Sequence, residues 1–145
     1  MEIMKTRKKK TDRQKQVIRM DQKFGIIIRS GLRCLRCGKL FILTDSSKIP
    51  QGLHCSHFVS RKRFNTRWDK SNCKPLCYGC HSYFDQNKDL YREWLIQLNY
   101  HTEDSLDIMI QRSNQIFRGD LNAIELWIDQ ELKELNLDFN YEFLK

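Results

Sequence analysis

Cys34-Leu35-Arg36-Cys37 and Cys77-Tyr78-Gly79-Cys80 constrain this chain more than any other feature. Each Cys-x-x-Cys bends the backbone so that two thiolates face one point, and two such knuckles supply the tetrahedral sulfur set that zinc prefers. Gly38, directly after Cys37, permits the tight turn a knuckle needs. Cys34, Cys37, Cys77 and Cys80 would form a closed site with no open coordination position, so its role is to staple the fold. Residues 34–37 and 77–80 must therefore meet in space.

That reading depends on the thiols staying reduced. No run of about twenty apolar residues is present, so no membrane span is expected. Met1 to Lys15 is charged and lacks the apolar core of an export signal, which points to a cytoplasmic, reducing setting. There, paired knuckles read as metal ligands, not disulfides. At 145 residues, 40% apolar and 30% charged, the chain can build one domain with a modest core, and a metal staple would add usefully to its stability.

Charge is distributed unevenly. Residues 1–99 hold 22 Lys/Arg against 8 Asp/Glu, a surplus of 14, whereas residues 100–145 hold 4 against 10, a deficit of 6. A basic part that coincides with the knuckles is the electrostatic footprint expected for a polyanionic partner such as DNA or RNA. Three segments follow: a basic flexible arm over 1–15, a knuckle-bearing domain over 16–99, and an acidic helical annex over 100–145.

Val17, Met20, Phe24, Ile27 and Ile28 recur at helical spacing, predicting an amphipathic helix over roughly 13–30 that stops at Gly31. Leu40 to Thr44 reads as a short β-rich run, and a second strand is expected around Leu53–Val59. Pro75 restricts Cys73–Leu76 to an edge strand. Helical stripes follow from Tyr78: Tyr91, Trp94, Leu95 and Leu98; then Leu106, Met109, Ile110, Ser113 and Phe117 with Ser105 as N-cap; then Leu121, Ile124, Ile128, Leu132 and Leu135. Arg61 to Lys70 reads as a polar loop in which Arg61, Lys62, Arg63, Arg67 and Lys70 suit phosphate contacts, with Trp68 turned into the core and Asp69 capping the next turn. Lys8, Lys9 and Lys10 in the arm would add salt-sensitive, non-specific affinity. Cys55 and Cys73 stand outside the knuckles, either as core cysteines or as ligands of a second zinc with His54 or another neighbour.

The order Cys55-Ser56-His57-Phe58, Arg61, Arg67-Trp68-Asp69, Asn72 and Cys77-x-x-Cys80-His81 resembles the HNH, or ββα-metal, nuclease superfamily. Within it the chain is similar to the phage NinG/Rap recombination nucleases and to the phage Ref-type nucleases, over about residues 15–100. The resemblance implies an α+β fold: a zinc-stapled ββα-metal core with an N-terminal helix and a helical C-terminal annex. It implies a phage-encoded, metal-dependent DNA endonuclease acting in a bacterial host on branched or recombination-intermediate DNA. A host recombinase is the protein partner this suggests, and the acidic annex could join two copies of the chain, as resolving a two-fold junction would favour. His57 would be the general base, Asn72 would brace the loop that orients it, and His81 would help hold a catalytic Mg2+ or Mn2+ distinct from zinc.

Asp85 lies four residues after His81, so both would project from one helix face and could share that ion. Many HNH enzymes carry a metal-binding Asp or His immediately before the catalytic His, where this chain has Ser56. The ion would then lean on His81, Asp85, Asn87 and water. Ser56 is also the feature that favours a rival, a non-catalytic zinc-containing DNA-binding accessory protein.

Overall fold

Thr11 starts the first helix by a reciprocal cap: its hydroxyl accepts from the Gln14 N–H, and the Gln14 side chain accepts from the Thr11 N–H. Helix α1 (Asp12–Arg29) therefore begins inside the basic run, three residues before the expected end of the arm at 15. The computed structural model describes residues 6–44 and 49–135. Among these the fold is α+β, with six helices and one two-stranded antiparallel sheet. Strand β1 (Leu53–His57) leads through the short helix α2 (Phe64–Arg67) and a 3-10 turn (Lys70–Asn72) to strand β2 (Cys73–Cys77). Helices α3 (Tyr78–Gln86), α4 (Lys88–Gln97), α5 (Glu103–Ser113) and α6 (Leu121–Glu134) complete the order.

The ladder runs from Leu53 opposite Cys77 to His57 opposite Cys73. With only two strands each is an edge, so Pro75 costs no central ladder bond, and its carbonyl accepts from the Leu35 N–H of the first knuckle. The strand expected at Leu40–Thr44 does not form. Arg33 and Leu40 make a single bridge, the Phe41 N–H closes onto the Leu32 carbonyl, and the apolar side chains of Leu40 and Ile42 stay exposed. That segment serves to shut the knuckle loop instead of extending a sheet.

Two apolar clusters flank the strand pair. Beneath the knuckles, Leu53, Leu76, Phe84, Tyr91, Leu95 and Leu106 pack with Cys34 and Cys80. Phe84 and Tyr91 stack there with ring centroids 4.5 Å apart. The other cluster joins Met20, Phe24 and Ile27 of α1 to Ile128 and Leu132 of α6, with Trp68 and Cys73 between them. Carboxylates of α6 also grip α1: Glu125 meets Arg19 at 2.6 Å and Lys23 at 3.2 Å, and Asp129 meets Lys23 at 2.8 Å. The Arg19 and Lys23 contacts hold the Glu125 carboxyl down at about 2 against the opposing effect of burial.

The acidic helices are thus part of both cores, α5 giving Leu106 and Met109 to the first and α6 its apolar face to the second. Helix α5 is capped by Thr102, not by Ser105. Ser105 sits three residues in and its hydroxyl oxygen accepts from the Thr102 N–H, because the helix begins a turn earlier than its apolar stripe.

Candidate functional site

The knuckles assemble the four cysteines expected to meet. Ligand atoms of Cys34, Cys37, Cys77 and Cys80 all lie within 4.8 Å of one another and could hold a metal ion such as zinc. Cys37 and Cys77 place their sulfurs 3.8 Å apart, and a tetrahedron with Zn–S arms of about 2.3 Å requires about 3.8 Å. Gly38 takes φ of +77°, a conformation that side chains resist, and its N–H closes the turn on the Cys34 carbonyl. Burial acts to raise the Cys34 thiol, but backbone donors from Cys37, Cys77 and Arg36 outweigh it and bring the group down to about 6. Burial and the neighbouring sulfurs push Cys80 up to about 12, opposed by Arg36. The Arg36 guanidinium reaches the Cys80 sulfur at 3.5 Å while lying 4.1 Å from the Tyr83 ring centroid.

Beside the knuckle core, at the open edge of β1, a cleft of about 640 Å³ runs between α1 and the α3–α4 corner. His54, His57, Arg61, His81, Asp85 and Lys88 all line it. His57 Nε2 lies 2.8 Å from the Arg67 carbonyl. A carbonyl only accepts, so Nε2 carries the proton and Nδ1 keeps the lone pair. Burial, assisted by the Arg61 charge, lowers the His57 pKa against the raising effects of the Arg67 carbonyl, Asp21 and the Cys55 carbonyl, which favours the neutral ring.

Asn72 is buried to 1% exposure and uses every side-chain group it can: Val59 N–H donates to its oxygen at 2.7 Å, and its nitrogen donates to the Val59 and Thr66 carbonyls at 3.0 Å. It locks the loop that carries Phe58, Arg61 and the Arg67 carbonyl against the end of β1.

His81 meets His54, which the sequence offers only as a zinc partner of the spare cysteines. Its Nδ1 lies 2.9 Å from His54 Nδ1, with the two rings nearly perpendicular. Asp85 is indeed one turn along α3, but its carboxylate faces the opposite ring nitrogen, Nε2, at 3.4 Å. His81 therefore sits between an imidazole and a carboxylate, and Asp85 orients the ring from behind. Burial lowers the His81 pKa, with Asp85 acting the other way and His54, Lys88 and Arg61 adding to the decrease.

Ser56 is fully buried with its hydroxyl 3.1 Å from the Tyr91 hydroxyl, and it does not line the cleft; His54, two residues earlier on β1, is the side chain that meets His81. Two expected site residues are engaged elsewhere. Asn87 spends its amide on the Tyr83 carbonyl at the end of α3 and does not line the cleft. Arg67 is clamped by both Asp21 oxygens and also donates to the Arg61 carbonyl, so its guanidinium is engaged in building the loop.

Among the remaining cations, Lys70 is paired with Glu131, while Arg61, Lys62 and Arg63 stay exposed, as do Lys8, Lys9 and Lys10. Trp68 is buried with its indole N–H on Asp21, and Asp69 accepts from the Ser71 N–H as a cap. Lys88 joins the cleft, its ammonium 3.1 Å from the Phe58 carbonyl. Gly25 makes room for the last wall. The Arg29 side chain folds back over it to reach the Leu53 carbonyl, where any Cβ would stand 2.7 Å from the guanidinium.

Two places in the cleft, those of His54 and Lys88, are not legible in the sequence. His54 is three residues before His57, and strand alternation alone puts the two on opposite faces. Only an open strand edge lets both reach one cleft. Among the described residues, no helix is long and apolar enough to cross a membrane. Comparison with protein-family models, with curated proteins and with solved structures gives no match.

Proposed function

We propose that the chain is a metal-dependent DNA endonuclease of the HNH type, stapled by zinc and hydrolysing phosphodiester bonds in the cleft beside β1. The observation that carries this is the placement of a neutral, carbonyl-anchored His57 in the same cleft as the close His54–His81 pair. His57 would take a proton from the attacking water at Nδ1, the only lone pair its hydrogen bond to Arg67 leaves available. Asn72 keeps that anchor in place by fixing the loop from Val59 to Thr66.

His54 and His81 would be the two imidazoles that hold a divalent ion. Their nitrogens stand 2.9 Å apart, close to the roughly 3.0 Å between neighbouring ligands in an octahedral shell with arms of about 2.1 Å. Asp85 supports His81 from the far ring nitrogen, the arrangement by which carboxylates orient metal-bound imidazoles. Two imidazoles in the set favour Mn2+ over Mg2+. When bound there, the ion would stabilise charge on the phosphate and on the leaving oxygen. Arg61 and Lys88 line the same walls and would hold the flanking phosphates, with Lys62 and Arg63 beyond them.

The choice of branched or recombination-intermediate DNA, like a recombinase partner, comes from the likeness to phage recombination nucleases. Cleavage of branched, single-stranded and linear duplex DNA with Mn2+ or Mg2+ tests the reading. Wild type should cut, and His57→Ala should lose at least about 100-fold in rate while keeping DNA affinity. Equal cutting by both proteins would sink the role of His57, and no cutting of any substrate with DNA binding intact would leave a binding module.

A further inference from the structure

The strand ladder gathers a second group of soft ligands that the knuckles do not use. Cys55 and His57 are two apart on β1 and share a face, and Cys73 stands directly opposite His57 on β2. Ligand atoms of Cys55, His57 and Cys73 all lie within 4.8 Å of one another. Both cysteines are free thiols, Cys73 buried and Cys55 half-buried. Cys73 is four residues from Cys77 along one strand, about 13 Å, so this group is separate from the four-cysteine cluster. Cys55 and His57 line the cleft, which gives an ion a way in and leaves one side of the group facing solvent.

We propose that Cys55, Cys73 and His57 form a second metal site for a zinc-class ion, with three protein ligands and a fourth position open to the cleft. Two thiolates and an imidazole select zinc-class ions over Mg2+ or Mn2+, whose preferred donors are oxygens. Binding releases the two thiol protons to solvent. A neutral imidazole has one lone pair, so an ion held by His57 occupies the pair that proton abstraction needs. Zinc at this site therefore switches the nuclease off, a consequence that rests on His57 being the general base.

The test counts metal and measures cleavage on the full-length protein. Wild type titrated with Zn2+ should bind two ions per chain, and Co2+ in the second site should show sulfur-to-cobalt charge-transfer absorption. Cys55→Ala, which removes the less buried thiol, should keep the first ion and the far-UV circular dichroism while binding the second more than about 100-fold more weakly. The pair Cys55→Ser with Cys73→Ser should bind one ion only. A single ion per wild-type chain, or a second ion held undiminished by Cys55→Ala, overturns the site. In Mn2+-dependent cleavage, the second zinc equivalent should stop wild type, whereas Cys55→Ala keeps cutting at that concentration. Activation by the second zinc overturns the inhibitory role, and equal inhibition of both proteins assigns it to another site. A wild type that never cuts overturns the nuclease reading, while the metal count still decides whether the site exists.

Discussion

The two cores on either side of the strand pair are held by different chemistry. The one under the knuckles is built round four thiols and a cluster of aromatic rings, bringing together residues 34–37 and 77–80. The one between α1 and α6 joins segments more than a hundred residues apart by an apolar seam and a carboxylate clamp on Arg19 and Lys23. The first should answer to metal and the second to acid. The cleft has a wall from each, α1 on one side and α3 on the other, so either failure reaches it.

The largest effect expected is loss of the knuckles. Cys77→Ser with Cys80→Ser, or zinc chelation, should remove several kcal/mol and unfold the aromatic core, seen as a fall in melting temperature. An unchanged melt would break the contrast at once. Asn72→Ala comes next, at about 3 kcal/mol by denaturant unfolding, since it orphans one buried N–H and two carbonyls.

Glu125→Gln should cost about 2 kcal/mol, with no change in zinc content. The same carboxyl gives the acid response its sign. It titrates at about 2 when folded against an ordinary 4.5, so its stabilisation is complete above about 4.5 and disappears as pH falls toward 2. The cleft should respond earlier. The folded His57 and His81 are both depressed below 6.5, so the unfolded chain takes up protons first and stability declines as pH drops beneath that value. Melting curves from about pH 7 to about pH 3 should show both phases, and Glu125→Gln should shrink only the lower one, to which the depressed Asp69 also contributes. The smallest effect is in the arm. Changing Lys8, Lys9 and Lys10 to Gln should lower the salt slope of DNA binding by about 1 for each phosphate no longer neutralised, and leave stability untouched.

What could be read in advance was whatever depends on local spacing. The knuckles follow from Cys-x-x-Cys geometry and α1 from its apolar period, while a bracing role for Asn72 is only what the resemblance implies. What stayed hidden depends on pairings distant in sequence. Nothing near Arg67 shows that Asp21, 46 positions away, claims both arms of its guanidinium. Nothing near His54 says that a two-stranded sheet leaves an open edge for it to meet His81. The Leu40–Thr44 run has strand chemistry, but propensity does not supply a partner strand.

Arg36 has a consequence beyond its place among the knuckles. Zinc held by four thiolates would remain an anionic complex, and if the cleft takes DNA as proposed, an anion beside it would repel that substrate. The Arg36 guanidinium, laid on Tyr83 and pointed at the Cys80 sulfur, offsets part of that negative field where it arises. On the proposed reading, the staple would then stand next to the cleft without opposing a phosphate backbone, and Arg61 and Lys88 would keep their pull on it.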